Sequence, residues 1–487
     1  MKRYLLTRFG EIDNIEIPSV IKAGSIPIRE SYSERNKHIY ISGKFLIINR
    51  INRFNTKEFV KTIIQLRKKY WDKIIYLPNA GLIYDYPILF YLGIDVLDDL
   101  FIRILGNGKC ITEFGIIKGE NCLEKNMKEM ERMVERIKLS LENSKFREFV
   151  EGYSMTSFGK EALRISDMLH YEDIEPFLDF RERDVRANNI ESIYRPEIEY
   201  FRRKVKNLRR TSENLLLIPC SAIKPYSQSK THKILHSRIY PFLSGIQEVI
   251  VTSPLGLVPR ELENFFPVKN YDIPVTGYWF KDEKEMLRNL AIEFFQDKKY
   301  DNVFFILSKD ESEFLDIFPN AEGIIGNLNF ENSEKIQKII SSHNIKKDRN
   351  QKRKNEFSNI LRYLYDINIE PSELKIEDEG NRSFVKIGKE ILLKKTVAGV
   401  SMEKDLGELL YKSDKRFIEV SGKFQGDSVY IPGIVSMSSD VRPGNEVALV
   451  YNGEIIGKGI SQLSMLDLQF QEKGLGISTV TYFPNKE

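Results

Sequence analysis

Cysteine is scarce in this chain: only three of 487 residues, Cys110, Cys122 and Cys220, and no pair has C-x-x-C spacing. That rules out a disulfide framework and predicts a reducing, cytoplasmic compartment. The opening Met1-Lys2-Arg3-Tyr4-Leu5-Leu6 lacks the apolar core of a signal peptide. No stretch reaches the ~20 consecutive apolar residues needed to span a bilayer, so no membrane partner is expected. Internal repeats and low-complexity tracts are absent too. Net charge is only +4, too small to name a partner by itself.

What is present is length and clustered charge. At roughly 150 residues per domain the chain has room for about three domains and a core that needs no staples. Charged residues make up 30% of the chain, against an ordinary ~25%, a balance compatible with a thermophile. Arg202, Arg203, Lys204, Lys206, Arg209 and Arg210 form one basic cluster. Lys346, Lys347, Arg349, Lys352, Arg353 and Lys354 form another. Such clusters are either solvated helix faces or the footprint of a nucleic-acid partner.

Hydrophobic patterning predicts a multidomain α/β protein. Residues 1–150 alternate strand and helix: a strand pair or one long strand over 38–49, an amphipathic helix over 57–71, and strands over 73–77 and near 93–96. A full (β/α)₈ barrel takes roughly 200 residues or more, and the helical tract 123–150 interrupts the alternation, so any barrel here is truncated. The methionines of that tract, Met127, Met130 and Met133, read as core filler. A helical connector over 151–205 ends in a helix beginning at Pro196. An α/β core domain with a mostly parallel sheet follows over 206–345, its strands near 215–218, 248–252, 303–307 and 323–326. The second basic cluster marks its end. A small α+β domain covers 346–412. Over 413–487, short apolar runs alternate with turns such as Pro432-Gly433 and Asn452-Gly453, the pattern of a small β-barrel.

The densest polar chemistry sits where the first core strand ends. Leu215-Leu216-Leu217-Ile218 runs into Pro219-Cys220-Ser221, with Lys224, Tyr226, Ser229, Thr231 and His232 close behind. Ligands in open α/β sheets bind beyond the carboxyl ends of the strands. Cys220 is either a small apolar residue closing a buried strand or a nucleophile whose thiolate Lys224 and His232 favour. His232 and His236 have i, i+4 spacing, but no third ligand accompanies them, and no metal is assigned. Ser253-Pro254-Leu255-Gly256 is either a turn or a loop whose amides receive a substrate oxygen before Arg260 and Glu261.

Three blocks resemble archaeosine synthases, archaeal tRNA-modifying relatives of the tRNA-guanine transglycosylases. They are Pro219-Cys220-Ser221 through Thr231-His232, Thr252-Ser253-Pro254-Leu255-Gly256 through Glu263, and Tyr271-Asp272-Ile273-Pro274-Val275-Thr276-Gly277. Serine usually precedes the histidine in that pattern; Thr231 keeps the hydroxyl. Upstream, Gly93-Ile94-Asp95-Val96 and Arg103-x-x-Gly106 resemble late barrel strands of transglycosylases. The cysteines of the transglycosylase zinc site are missing, so this part resembles a degenerate, shortened barrel. Val429-Tyr430-x-Pro432-Gly433, Val441-Arg442-Pro443-Gly444 and Lys473-Gly474-Leu475-Gly476 resemble a PUA domain, a small RNA-binding β-barrel.

The resemblance implies a substrate: tRNA carrying 7-cyano-7-deazaguanine (preQ0) at position fifteen of the D-arm. It implies amine addition to the nitrile, giving archaeosine or a lysine adduct of it. Free lysine or another amine is the donor; a radical-SAM protein completing the reaction and a second copy of the chain are further partners. No cofactor is implied. In a covalent route Cys220 attacks the nitrile, Lys224 favours the thiolate, and His232 or Asp272 moves protons; direct amine addition without a covalent intermediate is the other route. Ser221, Tyr226, Ser229, Ser253, Gly256, Arg260, Glu261 and Thr276 are then substrate-binding, and Gly433, Arg442, Lys473 and Gly474 RNA-binding. Base exchange by a transglycosylase and a non-catalytic tRNA-binding subunit are the alternatives.

Overall fold

The structure is a computed structural model. It describes every residue except 1, 13, 27–32, 35–38, 50–54, 154–155, 275–277, 424–425 and 485–487. The backbone groups into two compact units, residues 1–179 with 466–471, and residues 180–465 with 472–487.

The first unit is built on a six-stranded sheet. Its order is Ser19–Ile21, Val96–Asp98, Ile74–Leu77, Phe45–Ile48, Ile39–Ser42, Ser33–Glu34. The first four run parallel, Ile39–Ser42 pairs antiparallel with Phe45–Ile48, and Ser33–Glu34 pairs antiparallel with Ile39–Ser42, so of the two readings of 38–49 the strand pair holds, as a hairpin. Among the described residues this sheet is open. Helix Thr56–Lys69 starts where the Asn55 side chain accepts from the Glu58 amide, and it buries Phe59, Val60, Ile63 and Ile64. The strand expected at 93–96 begins only at Val96, because Gly93, at φ +98°, makes a turn. Asp95 closes that turn as a buried ionic hub between Arg8 and Arg67.

The tract 123–150 is two helices, Cys122–Glu142 and Phe146–Tyr153. Met130 and Met133 are buried as core and Met127 is half-buried. One expectation is corrected here: Cys110 and Cys122 form a disulfide, with Cα atoms 4.5 Å apart. The hairpin Lys109–Thr112/Gly115–Lys118 folds back on the helix start, bringing together cysteines twelve residues apart that share no recognisable spacing.

The first α-helix of the second unit is α1 (Pro196–Val205), with proline in its first turn. A five-stranded sheet follows, made of β1 (Asn214–Pro219), β2 (Ile246–Thr252), β3 (Gly256–Pro259), β4 (Asn302–Leu307) and β5 (Ala321–Ile325). Its order is β3-β2-β1-β4-β5; all are parallel except the edge strand β3. Helices α2 (Lys230–Ile239), α3 (Lys281–Phe295) and α4 (Phe330–Ser341) pack around it. Leu215, Leu216, Leu217 and Ile218 are all buried, as a doubly covered central strand requires. Each such side chain contributes ~1.5–3 kcal/mol of burial.

The chain leaves β1 to one side for β2 and later returns on the other side for β4. The loops after β1 and β4 therefore diverge at a topological switch point, where a crevice opens beyond the strands' carboxyl ends. The basic run expected to mark a boundary is instead partly helical: α5 (Arg349–Tyr365) contains 349–354 and buries Phe357, Ile360 and Leu361.

A four-stranded antiparallel sheet (Leu374–Glu379, Arg382–Ile387, Glu390–Thr396, Gly399–Met402) comes next. The tail forms a six-stranded sheet with long strands Glu446–Tyr451, Glu454–Ser461 and Leu475–Tyr482. Among the described residues no helix is long and apolar enough to cross a membrane.

Candidate active site

Cys220 is the first residue beyond β1, and its amide extends the ladder by donating to Val251 O at 3.1 Å. The thiol is half-buried and not disulfide-bonded. It opens on a cavity of about 300 Å³ at the switch point, lined also by Ser221, Ser253, Trp279, Glu283 and Glu311. β1, β2 and β4 each deliver one wall: Cys220-Ser221, Ser253 and Ser308. Thr231, at the start of α2, and Asn327, after β5, complete the rim.

Burial pushes the Cys220 thiol up; a hydrogen bond with Thr252 and the charge of Lys224 pull it down, and Glu311 pushes it up further. The free thiol is thus held protonated. Thr252 also bonds the Tyr271 hydroxyl at 2.6 Å, and Tyr271 meets the Tyr226 hydroxyl at 2.5 Å. Burial raises both phenols far above their ordinary range, so they remain O–H groups. Lys224 lies 4.1 Å over the Tyr271 ring. Burial lowers its ammonium, and Cys220 and Asp272 oppose that shift.

His232 is fully buried. Its Nε2 is 3.1 Å from Pro219 O and its Nδ1 is 2.9 Å from Arg260 Nη2. Arginine only donates and a carbonyl only accepts, so the ring is neutral, with its proton on Nε2. Burial and then the Arg260 charge lower its pKa to about 3. Arg260 in turn pairs with Glu248 and Glu263, and Glu263 accepts from the Ser227 amide. His236 bonds Glu248 at 2.7 Å. The network ties the residue before the thiol to β2 and to the loop after β3.

Of the expected catalytic residues, only Cys220 faces the cavity. Lys224 lies over the Tyr271 ring, His232 holds the carbonyl of the preceding residue, Pro219, and Asp272 is exposed; none of the three is in the lining. Ser221 and Ser253 line the cavity. Tyr226 belongs to the buried hydroxyl chain, and Ser229 caps α2 by accepting from the His232 amide at 3.3 Å. Gly256, at φ +80°, makes the β2–β3 turn against Leu290, where a Cβ would come within 2.4 Å. Glu261 lies away from the cavity and bonds Asn359 at 2.7 Å. Burial, then Glu356, raises it to about 7. Thr276 lies outside the described residues.

Two carboxylates missed from the sequence are the main additions. Ser253 donates to Glu283, whose other oxygen accepts from the Phe280 amide at 2.7 Å. Glu311 is buried, accepts from the Ser308 amide at 2.8 Å, and is raised by that burial. The segment Ser308-Lys309-Asp310 ending β4 points to this loop from sequence alone; nothing there marks Glu283. Among the described residues no group of three or more His, Cys, Asp or Glu could hold a metal ion.

In the tail, Gly433 is buried and its carbonyl accepts from the Ser421 amide, while Gly474, at φ +130°, accepts from the Ile431 amide. Arg442 donates to Ser439 O, and Lys473 is exposed.

Residues 198–347 match a family model described as a domain of unknown function, DUF5591, and residues 420–483 match the PUA domain. The chain is 28% identical to archaeosine synthase subunit alpha of Thermoplasma acidophilum, covering 96% of this chain and 97% of that protein. It is 27% identical to archaeosine synthase of Methanocaldococcus jannaschii, over 84% of this chain and 75% of that one. Against archaeosine synthase subunit alpha of Thermococcus kodakarensis the identity is 26%, over 86% and 77%.

Proposed function

We infer that this chain, a homologue of archaeosine synthases over most of its length, is a tRNA-modifying enzyme of archaeosine formation. The reaction is amine addition to the nitrile of 7-cyano-7-deazaguanine at position fifteen of tRNA. The observation that carries this reading is a lone thiol at the switch point of the α/β sheet, opening on a cavity that also holds two carboxylates.

A nitrile is a weak electrophile, so it needs a strong nucleophile and a proton for its nitrogen. The Cys220 sulfur attacks the nitrile carbon, forming a C–S bond and converting C≡N to a thioimidate C=NH. One proton leaves sulfur and one arrives at nitrogen. Glu311, beside the thiol and raised by burial, is placed to take the first and return it as the second. The amine then adds to the same carbon, the C–S bond breaks, and the thiol is restored as the amidine forms. Thr252 and Lys224 stabilise the thiolate character that develops during attack. His232 acts as a positioning residue: both its ring nitrogens are engaged.

The remaining parts have roles in the same reading. The open sheet of residues 1–150 is a shortened transglycosylase-like barrel, and the PUA domain holds the tRNA through Lys473 and the backbone near Gly433, Arg442 and Gly474. Free lysine or another amine is the donor, and a radical-SAM protein and a second copy of the chain are candidate partners. The test mixes purified protein with nitrile-bearing tRNA and free lysine, glutamine or ammonium, followed by nucleoside mass spectrometry. An amidine product with one donor supports the reading. Incorporation of labelled guanine would replace it with base exchange, and no product with any donor would leave a tRNA-binding subunit.

A further inference from the structure

The two basic clusters of the sequence lie about 140 residues apart, yet the second unit brings them to one cleft. Lys206, Arg209 and Arg210, between α1 and β1, face Lys346 and Lys352, before and within α5, across a cavity of about 830 Å³. Lys298, just before β4, and Arg362 of α5 complete the wall. These residues precede the parallel strands or flank them at that end. The cleft therefore opens at the amino edge of the sheet, opposite the thiol. β1 separates the two edges; at ~3.3 Å per residue that is roughly 20 Å.

The charge is not fully neutralised. The wall holds seven Lys or Arg side chains against three carboxylates, Glu213, Asp297 and Asp348. Lys206, Arg209 and Lys352 pair with Glu293, Glu370 and Glu356, which lie outside the wall. Among the described residues Arg210, Lys298, Lys346 and Arg362 have no carboxylate at ion-pair distance. Arg210, Arg362 and Lys298 are held instead by the carbonyls of Lys299, Asn207 and Phe294, the two guanidinium groups with N–H groups to spare. Pockets for small organic ligands are mostly apolar with a few placed polar groups. This one is polar, wide and cationic, which suits a solvated polyanion.

We propose that this cleft is a phosphodiester-binding groove for RNA, separate from both the thiol cavity and the PUA domain. It rests on the tRNA reading above, and it assigns the groove to phosphates a few nucleotides away from the reacting base. The groove gives affinity and register, because phosphate contacts position the nucleic acid without reading its sequence.

The test measures binding of an unmodified tRNA transcript over a range of salt. Each lost phosphate contact lowers the slope of log K against log salt by roughly 0.7–0.9. The double variant Arg210→Gln/Lys346→Gln should lower it by about 1.5, with an unfolding midpoint matching wild type to show that the fold is kept. In a second measurement on the wild-type protein, bound tRNA should shield Lys298 and Lys346 from acetylation, read by peptide mass spectrometry. An unchanged slope, or lysines equally reactive with and without bound tRNA, overturns the groove. Shielding by tripolyphosphate but not by tRNA overturns it too, in favour of a free polyphosphate. Amidine formation by the wild-type protein is scored separately, so the groove and the proposed reaction can fail independently.

Discussion

Replacing His232 separates a proton shuttle from a structural clamp. The buried ring donates to Pro219 O, accepts from Arg260 and stacks on Tyr226 with centroids 5.8 Å apart. His232→Ala removes both bonds, strands a carbonyl and a guanidinium donor, and leaves a cavity; the combined loss is about 3–4 kcal/mol. His232→Gln supplies one N–H donor and one carbonyl acceptor, so it should cost about 1–2 kcal/mol. The folded pKa, about 3, lies below the unfolded value near 6.5. Between these values the unfolded chain binds a proton that the folded chain does not. Stability contributed by the neutral ring is therefore complete above pH 6.5 and is lost as pH falls toward 3. From pH 7 to pH 5 that loss is about 2 kcal/mol in wild type and absent from the glutamine variant. The assay is urea unfolding at both pH values. Parallel pH dependence in the two proteins would refute the buried neutral histidine. Loss of a whole limb of the kcat/KM pH profile in His232→Gln would return the proton-shuttle role to it.

Three further outcomes follow from the same geometry. Cys220→Ala and Cys220→Ser should each lower turnover by roughly 10³-fold or more with tRNA affinity nearly intact, at a stability cost of about 1 kcal/mol, checked by single-turnover kinetics and unfolding. Lys473→Gln should lower the salt slope of tRNA binding by roughly 0.7–0.9. A point change is the cleaner probe than deleting 413–487, because residues 466–471 belong to the first compact unit and Glu446 holds Tyr365 and Ser401. Unfolded protein without reductant should titrate one thiol, Cys220, and three after reduction; Cys122→Ser, opening the short loop from Cys110, should cost about 2–3 kcal/mol in unfolding.

Much of the second unit is legible in its residues. The apolar run 215–218 names the central strand, and the polar crowd after it names the crevice, because strand burial and the carboxyl-edge rule are local signals. Cys220, Ser221 and Ser253 share the cavity for that reason. What the sequence hides is direction: His232 turns inward because α2, capped by Ser229, aims it at Pro219, and Asp272 turns outward on its short strand. Glu283 reaches the cavity from the first turn of α3, which no local pattern announces. The disulfide depends on a hairpin folding back over a helix start, again a tertiary event. Convergence of the two basic clusters follows from α5 packing near the start of β1, with Asn359 of α5 bonding the Arg209 backbone.

The central claim is that Cys220 bonds covalently to the nitrile carbon. The most direct measurement incubates wild-type protein with nitrile-bearing tRNA and no amine donor, then resolves denatured protein–tRNA adducts and maps the modified peptide by mass spectrometry. The expected result is an adduct on Cys220 that disappears when the donor is added and is absent from Cys220→Ala. No adduct in wild type, together with near wild-type turnover by Cys220→Ala, would contradict it.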